Sequence, residues 1–183
     1  MKKSAFGILS FLLVLSATSL VVLASEQYSA VTVQPKTARM NPATQLTIQV
    51  DRYTSDSERK GYIQLLKDKG PEALLSTMNE VNVGRISAPG QVGVAVAAAR
   101  VRETEGGKRV RLVITRPASF LQARRAERVD EFPYTIMDLY LDANGKGNGS
   151  VLSALRIYFD DDGQLHLQGL GGDPIDLINV KKE

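Results

Sequence analysis

Residues 97–114, AAARVRETEGGKRVRLVI, determine the predicted fold because they read as two strands joined by a tight turn. The pair Gly106-Gly107 supplies the positive φ angles that a two-residue hairpin loop needs. With that loop, Val101 lies opposite Leu112 and the apolar residues of both strands share one face. The three alanines at the start would suit a helix by propensity, but the alternating valines before them favour a strand.

Arginines occupy the other face of this predicted hairpin. The register places Arg102 directly opposite Arg111, with Arg100 and Arg109 diagonal to them. Like charges at opposed positions destabilise a sheet unless something neutralises them. Either acids of neighbouring strands interleave, or the face binds an anionic partner such as a phosphate, a lipid headgroup or an acidic glycan. The candidate acids are Asp51, Asp138 and Asp142.

Asp138 is the acid with the most informative surroundings. It lies in FPYTIMDLYLD, residues 132–142, where period two places it on one face with Tyr134 and Tyr140. An acid among tyrosines can bind a sugar or serve as a general acid with a raised pKa. Pairing with an arginine of a neighbouring strand is the favoured interpretation, because buried acids are usually paired. No catalytic residue is assigned; the predicted ligand-binding residues are Arg100, Arg102, Arg109, Arg111, Tyr134, Asp138 and Tyr140.

The segment before this hairpin predicts one strand and two helices. Residues 44–54 alternate with period two, as in a half-buried strand. Ser55 and Glu58 have the spacing of a capping box at a helix start. Gly70 should end that helix and Pro71 should open a second one. We therefore expect a helical hairpin inserted after the first long strand.

Further strands are predicted after the arginine hairpin, at 132–142, 151–159, 164–168 and 175–180. A three-residue loop at 161–163, with Gly163 left-handed, would set Phe159 opposite Leu165. The order of elements predicts an α+β fold, with a mostly antiparallel sheet curled into a sandwich or a barrel-like form. Residues 44–183 should form this single domain.

The N-terminal 24 residues have the pattern of a signal peptide: Lys2 and Lys3, an apolar run, and cleavage after Ala24. An uncleaved membrane anchor is the alternative, and it is the only membrane contact expected. Residues 25–43 are predicted to be a flexible lead-in with at most a short edge strand. The chain should therefore be exported, to the periplasm or the medium. The absence of cysteine excludes disulfides and a lipid anchor on a cysteine.

Composition argues against several functional classes. Removal of Lys2 and Lys3 lowers the basic side chains from 23 to 21, against 20 acidic ones, so the basic pI gives no reason to expect nucleic-acid binding. With no cysteine and one histidine, neither a metal site nor a cofactor is predicted. That histidine, His166, is expected on a surface strand beside Tyr158. A further arginine cluster, Arg124, Arg125 and Arg128, is followed by acids and is predicted to be solvated.

The stretch LDANGKGNGSVL, residues 141–152, superficially resembles a calcium loop. A loop that starts at Asp142 would have Lys146 at its fifth position and Ser153 at its twelfth, where oxygen ligands are needed. The stretch also lacks the spacing of a phosphate-binding loop. A glycine-rich turn between two strands is the simpler interpretation.

Four stretches together resemble a family of uncharacterised exported bacterial proteins. They are GRISAPGQVGVAVAAARV (84–101), GKRVRLVITRP (107–117), FPYTIMDLYLDANGKGNGS (132–150) and IDLINVK (175–181). The resemblance implies export and one compact domain, and it implies no ligand or catalytic residue. The leading hypothesis is a non-enzymatic binding or structural domain whose arginine-rich face contacts an anionic envelope component or small ligand. The alternatives are a carboxylate-dependent glycan hydrolase centred on Asp138 and a carrier of small apolar ligands.

Overall fold

The computed structural model describes residues 25–33, 43–115, 131–171 and 173–183. The predicted signal segment and the arginine cluster at 124–128 lie outside these residues. Within the described ranges, no helix combines the length and the apolar character needed to cross a membrane.

Most of the described chain forms antiparallel strands, and one helix interrupts them after the second strand. The elements are β1 (Glu26–Val33), β2 (Thr44–Val50), α1 (Asp56–Asn79), β3 (Gly84–Ser87), β4 (Val94–Ala95), β5 (Ala98–Thr104), β6 (Gly107–Ile114), β7 (Tyr134–Asp142), β8 (Lys146–Phe159), β9 (Leu165–Gly169) and β10 (Ile175–Lys182). The predicted α+β class with a mostly antiparallel sheet is confirmed.

The strands form one sheet in the order β4-β3-β2-β1-β10-β8-β7-β6-β5, with β9 paired to β8 outside this path. The two end strands, β4 and β5, are separated in sequence only by Val96 and Ala97. The N–H of Val96 donates to the carbonyl of Gly84, and the N–H of Ala97 donates to that of Val113, each at 2.8 Å. The sheet therefore curls into a half-barrel. Its two end strands are joined directly by residues 96–97, which bond to β3 on one side and to β6 on the other.

Period-two alternation divides the sheet into an inner face and an outer face. Met137, Leu139 and Leu141 of β7 point inward, into a core of fully buried aliphatic side chains from most of the strands. On the outer face, α1 covers only one end of the sheet. It packs Leu66, Leu74 and Met78 against Tyr134, Ile136 and Leu155.

The helix begins and breaks where its sequence predicts. The Ser55 side chain accepts from the Glu58 N–H, and the Glu58 carboxylate accepts from the Ser55 N–H, which completes the capping box. Gly70 interrupts the helix with φ 83° and ψ −178°, directly before Pro71. These two segments are the counterpart of the predicted pair of helices; that they form a hairpin stays a prediction.

The register of the arginine hairpin differs from the prediction by two residues. The turn is Glu105-Gly106, so Arg102 lies opposite Arg109 and Arg100 lies opposite Arg111. Gly107 belongs to β6, where a Cβ atom would stand 1.9 Å from the carbonyl oxygen of Leu141. A glycine is required at position 107 because β7 approaches closely, and not because of the turn. A shift of two residues keeps every side chain on its predicted face.

The prediction for residues 25–43 was wrong in one respect. Residues 26–33 are β1, which pairs with β2 on one side and with β10 on the other, and is not an edge strand. Tyr28, Ala30 and Thr32 are its buried residues, whereas Val31 and Val33 lie on the outer face. The residues of β1 that contribute to the core are therefore Tyr28, Ala30 and Thr32, and not the two valines.

Candidate functional site

The outer face of β5, β6 and β7 brings together six of the seven predicted ligand-binding residues. Two rows cross these strands: Arg100, Arg111 and Asp138 form one, and Arg102, Arg109 and Tyr140 form the other. We call these six residues the arginine face. Since α1 packs its apolar residues on the neighbouring end of the sheet, the arginine face lies beside the area that the helix covers.

Asp138 joins the two central arginines of this face. Its carboxylate accepts from Arg109 Nε at 3.2 Å and Nη2 at 2.6 Å. It also accepts from Arg111 Nε at 2.8 Å and Nη2 at 2.9 Å. The Asp138 side chain is only 6% exposed. The predicted pairing of Asp138 with an arginine of a neighbouring strand is confirmed, and it involves two arginines.

This geometry decides what Asp138 can do chemically. Burial raises the pKa of its carboxyl, and the charge and hydrogen bonds of Arg109 act against that rise. Four hydrogen bonds from two permanently charged guanidinium groups hold the carboxylate in its ionised form. Both oxygens are occupied, so the arrangement favours an ion pair and offers a hydrolase no available acid at this position.

The charges of the arginine face do not cancel. Arg100 Nη2 lies 3.8 Å from Asp56 Oδ1, so two aspartates stand against four arginines. Arg102 is exposed and has no ion-pair partner among the described residues. The Arg109 guanidinium lies over the ring of Tyr140, 5.3 Å from its centroid, and that tyrosine is 44% exposed. The face therefore presents positive charge beside an accessible aromatic ring.

The seventh predicted residue, Tyr134, is not part of this surface. It shares the outer side of β7 but lies beneath α1, with 1% of its surface exposed. Its hydroxyl has no hydrogen-bond partner among the described residues, and burial raises its pKa to about 12. The structure separates Tyr134 from the exposed residues with which the sequence grouped it.

A second polar cluster, which no sequence pattern predicted, lies at one end of the half-barrel. Glu26 accepts hydrogen bonds from the hydroxyls of Tyr28 and Tyr53 and, at 2.6 Å, from Lys182 Nζ. Lys108 Nζ lies 3.3 Å from the same carboxylate. We call these five residues the Glu26 cluster. The sequence could have indicated this cluster only if residues 26–33 had been predicted as a central strand.

Two lysines and two tyrosine hydroxyls determine the charge state of Glu26. Burial acts to raise its pKa, but hydrogen bonds from Lys182, Tyr28 and Tyr53 and the charge of Lys108 lower it to about 2. A cleft of about 450 Å³ adjoins the cluster, with Lys108 and Lys182 in its wall. Glu103, Asp142 and Glu183 also line this cleft, so its charge is mixed.

The glycine-rich stretch after β7 is a turn, as predicted. Asp142 Oδ1 accepts from the backbone N–H of Asn144 at 2.8 Å and of Lys146 at 2.9 Å, and Gly145 has φ 72°. The carboxylate is thus engaged by its own turn. In the ranges that the structure covers, no three His, Cys, Asp or Glu side chains are grouped to hold a metal ion.

His166 lies beside Tyr158 on the β8–β9 hairpin, as predicted. Its ring stacks on that tyrosine with centroids 5.5 Å apart, and its Nε2 lies 2.5 Å from Asp160 Oδ2. The predicted pairing of Phe159 with Leu165 is also confirmed, with Gly163 at φ 72°.

No family model, curated protein or solved structure matches this chain. The resemblance to exported bacterial proteins therefore stays a prediction, and functional arguments rest on the geometry of the arginine face.

Proposed function

We propose that this chain is an exported, non-enzymatic binding domain that holds an anionic ligand on its arginine face. One observation carries the proposal: Asp138 and Asp56 are the only described acids paired with the four arginines. An anion that adds to this face completes its charge balance and meets guanidinium donors already held in position.

Preorganisation supports the proposal. Asp138 fixes Arg109 and Arg111 through their Nε and Nη2 atoms, and none of these four hydrogen bonds uses an Nη1 group. Arg102, directly opposite Arg109, contributes a third guanidinium group. Forked donors of this kind match phosphate and carboxylate oxygens, and little side-chain entropy remains to be lost when a ligand binds.

The packing gives less support to the apolar-carrier alternative. The inner face of the half-barrel is filled by side chains such as Leu46, Ile48 and Leu112, all fully buried. A ligand inside the sheet would have to displace them. The outer arginine face requires no such rearrangement.

The test is a titration of the chain with pyrophosphate, followed by nuclear magnetic resonance of the backbone and arginine Nε–H signals. We expect shifts that cluster on Arg102, Arg109, Arg111 and Tyr140. Arg102→Glu should weaken binding at least tenfold without loss of fold, because the described residues offer that side chain no ion-pair partner. Rising salt should weaken binding of the wild-type chain.

Arg85→Glu is the matched control, since Arg85 is an exposed strand arginine of β3, outside the arginine face. It makes the same change in net charge and should leave the affinity within about twofold. Equal losses in both variants would show that only net charge matters. Absence of shifts on the arginine face would refute the proposal.

Export is part of the proposal and has its own test. Cleavage after Ala24 would leave every described strand intact, because β1 begins at Glu26. Expression of the full chain in a bacterium, followed by cell fractionation and N-terminal sequencing, should yield a periplasmic or secreted product that starts at Ser25. A cytoplasmic product that retains Met1 would contradict it.

A further inference from the structure

One edge of the β8–β9 hairpin is not paired with any other described strand. Among the described residues, β8 is the only strand that pairs with β9. All five residues of β9 are exposed. Two of them are large and apolar: Leu165 is 55% exposed and Leu167 is 51% exposed.

The hydrogen-bond pattern shows which backbone groups of β9 are available. The N–H of Asp160 donates to the carbonyl of Gln164, and the N–H of Leu170 donates to that of Ala154. Bonded and non-bonded pairs alternate along an antiparallel ladder, so Leu165, Leu167 and Gly169 direct their N–H and C=O groups away from β8. These groups form a regular row along the open edge.

Nothing in β9 protects that edge. Exposed edges usually carry lysine, proline or a bulge, which prevent another strand from adding to them. The sequence of β9, LHLQG, contains none of these residues, and its pairing with β8 runs without a register shift. What fits such an edge is a further β-strand with apolar side chains at alternate positions.

We propose that the occupant is a second copy of this chain, whose β9 adds antiparallel with Leu167 opposite the second copy's Leu167. In this register Leu165 lies opposite Gly169 of the other copy, and the three outward-directed residues of each strand meet their counterparts. The contact is two-fold symmetric, so it closes after two chains. It does not depend on the arginine face.

The apolar side of β9 is self-complementary in this register. Gly169 adds no side chain, and Leu155 lies beneath it, with its Cδ2 within 3.5 Å of where a Cβ would be. The second copy's Leu165 therefore lies over Gly169 and contacts Leu155. Leu165 and Leu167 also extend the apolar surface of Ile157 and Phe159, which pack near α1. Pairing covers part of the exposed surface of two half-exposed leucines of each chain.

The polar side shows complementary charge. Arg156 Nη2 donates to Gln168 Oε1 at 2.8 Å, while His166 is held by Asp160. The proposed register places Gln168 opposite the second copy's His166. The cationic Arg156, which binds Gln168, thus faces His166 and its acidic partner Asp160 of the other copy, on both sides of the two-fold axis.

Sedimentation equilibrium over a range of protein concentrations tests the proposal on the chain cleaved after Ala24 or on the full chain. The wild-type chain should dimerise reversibly. Leu167→Lys should weaken the dimer at least tenfold, since it puts two lysines side by side at the symmetry axis. Val92→Lys is the matched control: Val92 is 89% exposed, lies outside the hairpin, and its substitution should leave dimerisation unchanged.

Leu167→Pro provides a second, backbone-specific variant. It removes one outward N–H and no hydrogen bond to β8, so the hairpin should remain while the dimer is lost. Circular dichroism measures whether each variant is folded. If the proline variant unfolds, the result with Leu167→Lys tests the proposed dimer. A wild-type chain that is monomeric up to about 1 mM overturns the proposal. So does a dimer that persists in folded Leu167→Lys.

Discussion

Asp138 is the residue on which the order of the arginine face depends. Asp138→Asn keeps the shape of the side chain but removes the charge that holds two guanidinium groups together. Because Arg109 and Arg111 are partly exposed, water can solvate them, and we expect the free energy of unfolding to fall by about 1–3 kcal/mol. Urea denaturation at pH 7 measures this loss.

The control is Asp176→Asn, a change of the same group at an exposed position on the outer side of β10. It should alter the free energy of unfolding by less than about 0.5 kcal/mol. Equal losses in the two variants would show that the ion pairs of Asp138 add nothing to stability.

Glu26 should give the domain a stability that depends on acid pH. Its pKa is lowered to about 2 in the folded chain, against about 4.3 when unfolded, so its contribution is present above pH 5 and is lost as pH falls towards 2. The shift corresponds to about 2–3 kcal/mol at pH 7, after allowance for partial exposure. Glu26→Gln should lower the free energy of unfolding by this amount at pH 7 and by much less at pH 2.5.

Glu72→Gln changes the same group on the exposed surface of α1 and should match the wild-type chain at both pH values. Urea titrations at pH 7, 4 and 2.5 supply the comparison. A difference between wild type and Glu26→Gln that stays constant over this range would contradict the assigned charge state.

At the residue scale, period-two alternation carried most of the successful prediction. It placed Arg102, Arg109 and Asp138 on one face, and that result survives the two-residue error in register because the strand repeat is also two. Opposed partners were predicted incorrectly because they depend on which glycine occupies the turn. Gly106 has φ 87° and serves the turn, whereas Gly107 is needed for contact with β7.

At the level of elements, two glycines of α1 should respond in opposite ways when each is replaced by alanine. Gly61 lies in a regular helical turn with no atom within 4 Å of an added Cβ, so Gly61→Ala should raise the free energy of unfolding by about 1 kcal/mol. Gly70 adopts a conformation that is almost restricted to glycine, so Gly70→Ala should lower it by about 1–3 kcal/mol. Thermal and urea denaturation of the two variants test whether the free energy of unfolding changes in opposite directions.

The chemical change is identical in the two variants, so each serves as the control for the other. Stabilisation by both substitutions would mean that the helix runs through Gly70 without a break. The capping box and the break could be predicted because both arise from residues within a few positions of one another. The position of α1 on the outer face has no such local signal.

At the scale of the whole molecule, the order of strands follows from contacts that are remote in sequence. β1 lies between β2 and β10, and Glu26 bonds to Lys182 across nearly the entire chain. A short polar strand with two prolines after it resembles a lead-in when only its neighbours in sequence are considered. Its central position depends on an edge that β10 provides, which periodicity within residues 25–43 does not reveal.

Removal of β1 should therefore unfold the domain. A chain that starts at residue 43 would leave both β2 and β10 with an unpaired edge and would open the core where Tyr28 and Ala30 are buried. We expect loss of the cooperative thermal transition by circular dichroism, and a chain that starts at Ser25 should retain it. A cooperative transition in the shorter chain, at a similar temperature, would mean that β1 is dispensable and that β2 can pair directly with β10.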